Sequence, residues 1–221
     1  MIRLRDFAPH VSRYLTGAPI PAIEDAVLDA AIQWCRDTRV DTRISRPLDI
    51  VAGAAEIEIP KPEPALQVAA VLTVWSASGG QIASRTRRQL EDAFPAGWML
   101  PTVERTKDVY GWISTRPAFV RLVPYLTVGL PRDVTVEVAV APTRNAIEVP
   151  DFLFENFAEQ IAHGAIARLA SMPDAAWTDP NLAGAHRAEF DGAMARMGDA
   201  AVSGFNKARL RSTFSRSDDL P

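Results

Sequence analysis

Glu155 and Glu159 stand four residues apart, a spacing that puts both carboxylates on one face of a helix. Such a pair can work as general acid and base, as in glycan hydrolysis, when its surroundings drive the two pKa values apart. The flanking sequence offers no evident apolar pocket to do so, and a solvated face is the simpler reading. His10, His163 and His186 are the three histidines, and their separations match no metal-ligand spacing. His163 falls close to an apolar helix seam and reads as a packed or hydrogen-bonded structural residue. Cys35, beside Trp34, reads as a buried inert thiol. Gly79-Gly80 reads as a turn, and the chain has no GxGxxG after a strand, no P-loop and no GxSxG. Asp174, Asp179 and Asp191 lack calcium-loop spacing. Arg85, Arg87 and Arg88 form a small basic cluster without interleaved aromatics, which suits a surface patch or subunit contact better than a nucleic-acid site. The residues alone do not support catalysis, and no cofactor or metal is expected.

The elements that must position these groups are clearest between Val149 and Ala201. Phe154, Phe157, Ile161, Ala165 and Leu169 recur at three- and four-residue steps and predict one apolar helical stripe, with Asp151 placed to cap its start. Ala158, Ala162, Gly164, Ala165 and Ala167 keep the rest of that helix small, so a second backbone can come close. The pattern breaks at Met172-Pro173 and restarts at Asp179-Pro180, with Asp179 as N-cap and Pro180 at the first helical position. Leu182, His186, Phe190, Met194, Met197 and Ala201 form the second stripe. So short a connector predicts antiparallel neighbours.

Near the start, Asp6 to Tyr14 reads as a short helix with Phe7, Val11 and Tyr14 on one side. Pro21 to Val40 reads as a longer one, with Ile23, Val27, Ala30 or Ala31, Trp34 and Thr38 along one face. Trp34 is expected to be a packed anchor. From Thr42 to Thr143 the period falls to two. Leu48–Val51 and Ala55–Ile59 suggest a hairpin about Gly53, and Ala65–Trp75 a central strand apolar on both faces. Ser84–Asp92 reads as a short polar helix ending before Pro95. Tyr110–Ile113 and Ala118–Val123 read as strands around Arg116-Pro117, and Val134, Val136, Val138 and Val140 mark a half-buried strand. The predicted fold is α+β. Residues 1–41 and 144–204 make a helical bundle, 42–143 an inserted antiparallel β-module, and 205–221 an extended C-terminal arm.

At 221 residues the chain can bury a real core, and 48% apolar with 23% charged residues is ordinary for a globular protein. No apolar run approaches the ~20 residues of a membrane span. The first residues, MIRLRDFAPH, carry charges where a signal peptide would be apolar, and a single cysteine fits a reducing compartment. A formal net charge of −3 supplies no basic bulk for holding nucleic acid. The stretch after Ala201 reads as a frayed tail or as a basic arm that orders on a partner. In the second case Lys207, Arg209, Arg211 and Arg216 carry its charge, and Phe205, Leu210 and Phe214 are its apolar plugs.

Two stretches together resemble a known family. One is Tyr14-Leu15-Thr16-Gly17-Ala18-Pro19-Ile20-Pro21, followed by the helix from Ile23 to Thr38. The other is Val149-Pro150-Asp151, then Ile161-Ala162-His163-Gly164-Ala165-Ile166-Ala167-Arg168-Leu169, Pro173, and Trp177-Thr178-Asp179-Pro180-Asn181-Leu182-Ala183. They resemble the head-to-tail adaptor (neck) proteins of tailed bacteriophages related to tail tubular protein A. Departures from that pattern fall at Gly17-Ala18-Pro19, at Trp34 where Phe is usual, and at Ser171-Met172-Pro173. The resemblance covers both ends of the chain, and the middle only by its strand-rich character.

It implies a structural protein that forms a homo-oligomeric ring, a dodecamer, between portal and tail. DNA would pass its channel without specific binding. The bundle would make the subunit contacts, the arm (Phe205, Lys207, Arg209, Leu210, Arg211, Phe214 and Arg216) would dock on the portal, and the β-module would face the downstream tail or nozzle protein. The implied place is the virion neck, after assembly in the host cytoplasm. The alternatives are a head-completion or tail-terminator protein of a long-tailed phage, and a cell-wall glycan hydrolase using Glu155 or Glu159 as acid.

Overall fold

A computed structural model describes residues 1–51, 56–77, 80–94, 97, 109, 111–123 and 130–203. The chain opens with β1 (Ile2–Arg3), a 3-10 turn (Leu4–Phe7) and α1 (Ala8–Ser12). Phe7 and Val11 are buried, as their spacing predicts. Tyr14 departs from that face: it lies beyond α1, is 47% exposed, and sets its ring against His186 instead. Gly17, at φ +89, turns the chain through a conformation that a Cβ would strain. Helix α2 (Ile20–Thr38) follows, and Ile23, Val27, Ala30, Ala31, Trp34 and Thr38 are all buried along it. Arg39 ends it in the left-handed region, with its N–H donating to the Cys35 carbonyl at 3.0 Å.

Ten strands in all are described. After β2 (Thr42–Ile44) and β3 (Leu48–Ile50) come β4 (Ile57–Glu58), β5 (Leu66–Ser76) and β6 (Gln81–Ile82). Helix α3 (Arg87–Ala93) is next, capped reciprocally by Thr86 and Gln89. Then β7 (Gly111–Arg116), β8 (Phe119–Val123) and β9 (Leu130–Pro142) complete the sheets, and β10 (Glu148–Val149) pairs with β1.

The thirteen-residue β9 organises the first sheet, whose order is β2-β9-β5-β6 with β3 also on β9. Val134, Val136, Val138 and Val140 are buried on one side of it, as their alternation requires. A second sheet has the order β4-β8-β7, and a parallel bridge from Ser84 to Trp112 joins the two. Trp112, Val120 and Leu122 of the second sheet share one core with Val74, Val136 and Val138 of the first. The expected hairpin of 48–51 with 55–59 does not form: β3 pairs with β9 and β4 with β8. Alternation marks a strand but not its partner, and β9 offers a long apolar edge that a two-strand hairpin cannot match. Strand β5 meets a core on each face: Leu66, Val68 and Val74 are buried in the sheet core, while Ala69 packs on the helical core and Val71 and Leu72 are half-buried. The expected turn residues Gly53 and Gly79, together with Pro95 and Tyr110, lie outside the described residues.

The chain ends in α4 (Asp151–Ala170) and α5 (Pro180–Ser203). Their antiparallel course shows in the contact of Gly164 with Phe190 and in the Asp179 N–H donating to the Ala170 carbonyl at 3.0 Å. Asp179 accepts from the Asn181 and Leu182 N–H groups at 3.0 and 3.1 Å, the cap expected of it. Asp151 does not cap α4. Pro150 holds that position, and the Asp151 carboxylate takes the Met1 ammonium at 2.8 Å. Helix α4 also kinks at Phe157 (φ −134, ψ 17). There the Phe157 ring packs on Trp34, with ring centroids 5.2 Å apart. Helices α2, α4 and α5 line one core with Phe7, Val11 and Ala141. Among the described residues no helix is long and apolar enough to cross a membrane.

Candidate assembly surfaces

Small residues set the spacing of the three long helices. A Cβ built on Gly164 would lie 3.0 Å from the Ala30 Cβ and 2.8 Å from the Phe190 ring. Gly164 is therefore a point of close approach among α2, α4 and α5, and Trp34 packs at 5.9 Å on the same Phe190. Arg168 spans the same three elements. It donates to the Gly164 carbonyl at 2.9 Å and to the Gln33 side-chain oxygen at 2.5 Å, with its guanidinium 5.8 Å from the Phe190 ring centroid. The small surface that the sequence reserved for a neighbouring backbone is thus partly filled within the chain itself.

The histidines are rearranged by the hairpin. His163 on α4 and His186 on α5 meet Nδ1 to Nδ1 at 2.5 Å. Sequence spacing hid this pair, although both residues sit at similar distances from the connector. The antiparallel register was the signal that could have found them. His186 is 7% exposed, and burial, then the neighbouring His163, push its imidazole below the ordinary 6.5. His10, Arg13, Tyr14, Glu159 and His163 line a cavity of about 70 Å³ beside the pair. Among the described residues no three of His, Cys, Asp and Glu gather as metal ligands.

The proposed glycan acids do not converge. Glu155 and Glu159 are both exposed on α4, and only Glu159 reaches the small cavity. Cys35 is buried, and desolvation raises its thiol to about 12, which leaves it protonated and inert. The basic cluster divides. Arg87 pairs with Glu91 at 2.9 Å on the surface, while the half-buried Arg85 lies against Gly111 and ties its backbone N–H to the Trp112 carbonyl at 2.8 Å. Asp191 pairs with Arg187 at 2.9 Å, and Asp174 turns the connector at φ 58.

A groove of about 440 Å³ opens between the first turn of the chain, α2 and the loop before β10. Its floor is Leu4, Leu28 and Ala146, and its rim is charged and already paired: Arg5 with Glu24 at 3.6 Å, Arg3 with Glu148 at 3.9 Å, Arg144 with Asp29 at 2.7 Å. Ile147 stands on that rim, 79% exposed. Ile44 and Val51 are also exposed, at 69% and 65%, by β2 and β3, which among the described residues form an outer edge of the large sheet. Open strand edges and exposed apolar residues are features of surfaces that meet other chains. The arm residues Phe205, Lys207, Arg209, Leu210, Arg211, Phe214 and Arg216 lie outside the described residues.

No curated protein matches this chain. The model of one family, the SU10 adaptor proteins, matches residues 2–213 and so takes in both helical ends, the sheets between them and most of the expected arm. A match of that extent shows the family: the chain belongs to the SU10 adaptor proteins and is a phage adaptor, a structural component of the virion.

Proposed function

We propose that this adaptor forms a ring, a dodecamer, between the portal and the tail of its phage, around the channel through which DNA leaves. The reading is carried by the family match over residues 2–213. The finer kinship with tail tubular protein A, argued from Tyr14–Pro21 and Trp177–Ala183, belongs to the same proposal. Residues 1–41 and 144–204 act as one helical domain, 42–143 as an inserted β-domain and 205–221 as an arm. Closed rings need two different, complementary faces on each subunit. The exposed Ile44 and Val51 on one sheet edge, and Ile147 by the charged groove, suit such contacts.

The arm docks on the portal. From Phe205 to Arg216 it carries four cations and no acid, so the remainder of a chain of net charge −3 is the more acidic part. An acidic ring wall lets DNA slide past without adhering. The downstream tail or nozzle protein meets the β-domain, and the ring is completed in the host cytoplasm.

Light scattering and electron microscopy with the cognate portal test the proposal. Rings seated on the portal are expected, and a chain that stays monomeric and ignores the portal at micromolar concentration refutes it. Deleting Lys207 to Pro221 should abolish docking with the circular dichroism unchanged. Undiminished portal affinity after that truncation refutes the role of the arm.

A further inference from the structure

A nitrogen–nitrogen contact of 2.5 Å between His163 and His186 requires one donor and one acceptor. One Nδ1 carries a proton and the other is bare. Burial, then the neighbouring His163, disfavours a proton on His186, so we assign His186 as the acceptor and His163 as the donor. A proton added at the far nitrogen of His163 leaves the bond intact. A second proton, on the His186 Nδ1, turns the acceptor into a donor and sets two cations face to face.

The pair also holds another part of the chain. The Tyr14 ring packs edge-on against His186 at 4.7 Å, and His10 of α1 packs on Phe154 at 5.8 Å. The cavity of about 70 Å³ on the His163 side of the pair is large enough to hold water. The His10 Nδ1 is buried and has no hydrogen-bond partner among the described residues. Among the described residues, four charged groups lie around the pair or beside it in sequence. Glu189 on α5 favours a charged His186, Glu159 on α4 lies at the cavity wall, and Arg13, just past α1, adds positive charge there. Arg187, next in sequence to His186, is neutralised by Asp191.

We propose that His163 and His186 form a proton-operated latch, which holds the Tyr14 end of the N-terminal segment on the α4–α5 hairpin until His186 takes a proton. The sign follows from linkage. His186 binds a proton less readily folded than unfolded, so its contribution to stability is complete above about 6.5 and falls as pH drops below that value.

Histidine ring-proton NMR on the full chain, with amide exchange followed in parallel, tests the latch. The two imidazoles should titrate in steps at least about one pH unit apart, as a coupled pair does. After correction for intrinsic rates, exchange at residues 8–15 should accelerate several-fold with the lower step only. In His186→Gln the side-chain oxygen still accepts from His163 but cannot take a proton, and this acceleration should vanish. Independent titration of both rings near 6.5 overturns the proposal, and that measurement needs no variant. An undiminished acid response at residues 8–15 in a folded His186→Gln protein overturns it as well.

Discussion

Replacing Gly164 with Ala puts two opposed effects in one position. Alanine is the better helix former by about 1 kcal/mol. Its methyl group, however, would sit 2.8 Å from the Phe190 Cε2, 3.0 Å from the Phe190 Cδ2 and 3.0 Å from the Ala30 Cβ. None of these neighbours is a free end. Phe190 is fully buried, with Trp34 at 5.9 Å, and Ala30 is fully buried in α2. Inserting a methyl into such a site costs roughly 1–3 kcal/mol. Because the added atom meets two helices at once, the upper half of that range applies, and the net loss is about 1–2 kcal/mol. Gly184 in α5 is the internal control, since a Cβ there has no atom within 4 Å. Gly184→Ala should stabilise by about 0.5–1 kcal/mol through backbone entropy alone. Urea unfolding followed by circular dichroism measures both, and each kcal/mol should move Tm by roughly 2–4 °C at this size. A Gly164→Ala protein as stable as the parent refutes the close three-helix crossing. Phe190→Leu in the Gly164→Ala background should recover part of the loss, as contacting residues in a double-mutant cycle do.

Two further predictions concern the same hairpin and the helix it packs on. Asp179→Ala removes the acceptor for the Asn181 and Leu182 N–H groups and should cost about 1 kcal/mol, read as a lower urea midpoint with an unchanged slope. The Cys35 thiol, raised to about 12 by burial, should resist a thiol-reactive disulfide reagent in the native state and react at the rate of opening. Fast stoichiometric labelling of the folded protein refutes its burial.

The features legible in the sequence are those a single element decides for itself. The stripe from Ile23 to Thr38 needs only the helical period, the valines of β9 only the alternation of a strand, and Asp179-Pro180 only the chemistry of a helix start. Features that join distant elements were hidden. Asp151 looked like a cap because Met1, which binds it, lies at the other end of the chain. Leu48–Ile50 and Ile57–Glu58 looked like each other's partners because the true partners, β9 and β8, come much later. The kink falls at Phe157, whose ring packs on Trp34, an aromatic on another helix.

By itself the sequence determined where the long helices and the main strands form, that the α4–α5 connector folds back on itself, and which kind of protein this resembles, since those depend on local periodicity and on motifs read along the chain. The tertiary structure alone decided which strands pair, that Gly164 sits tightly between Ala30 and Phe190, and that His163 meets His186. Those outcomes depend on competition among all the faces that could be buried together, and a linear pattern does not record who wins it.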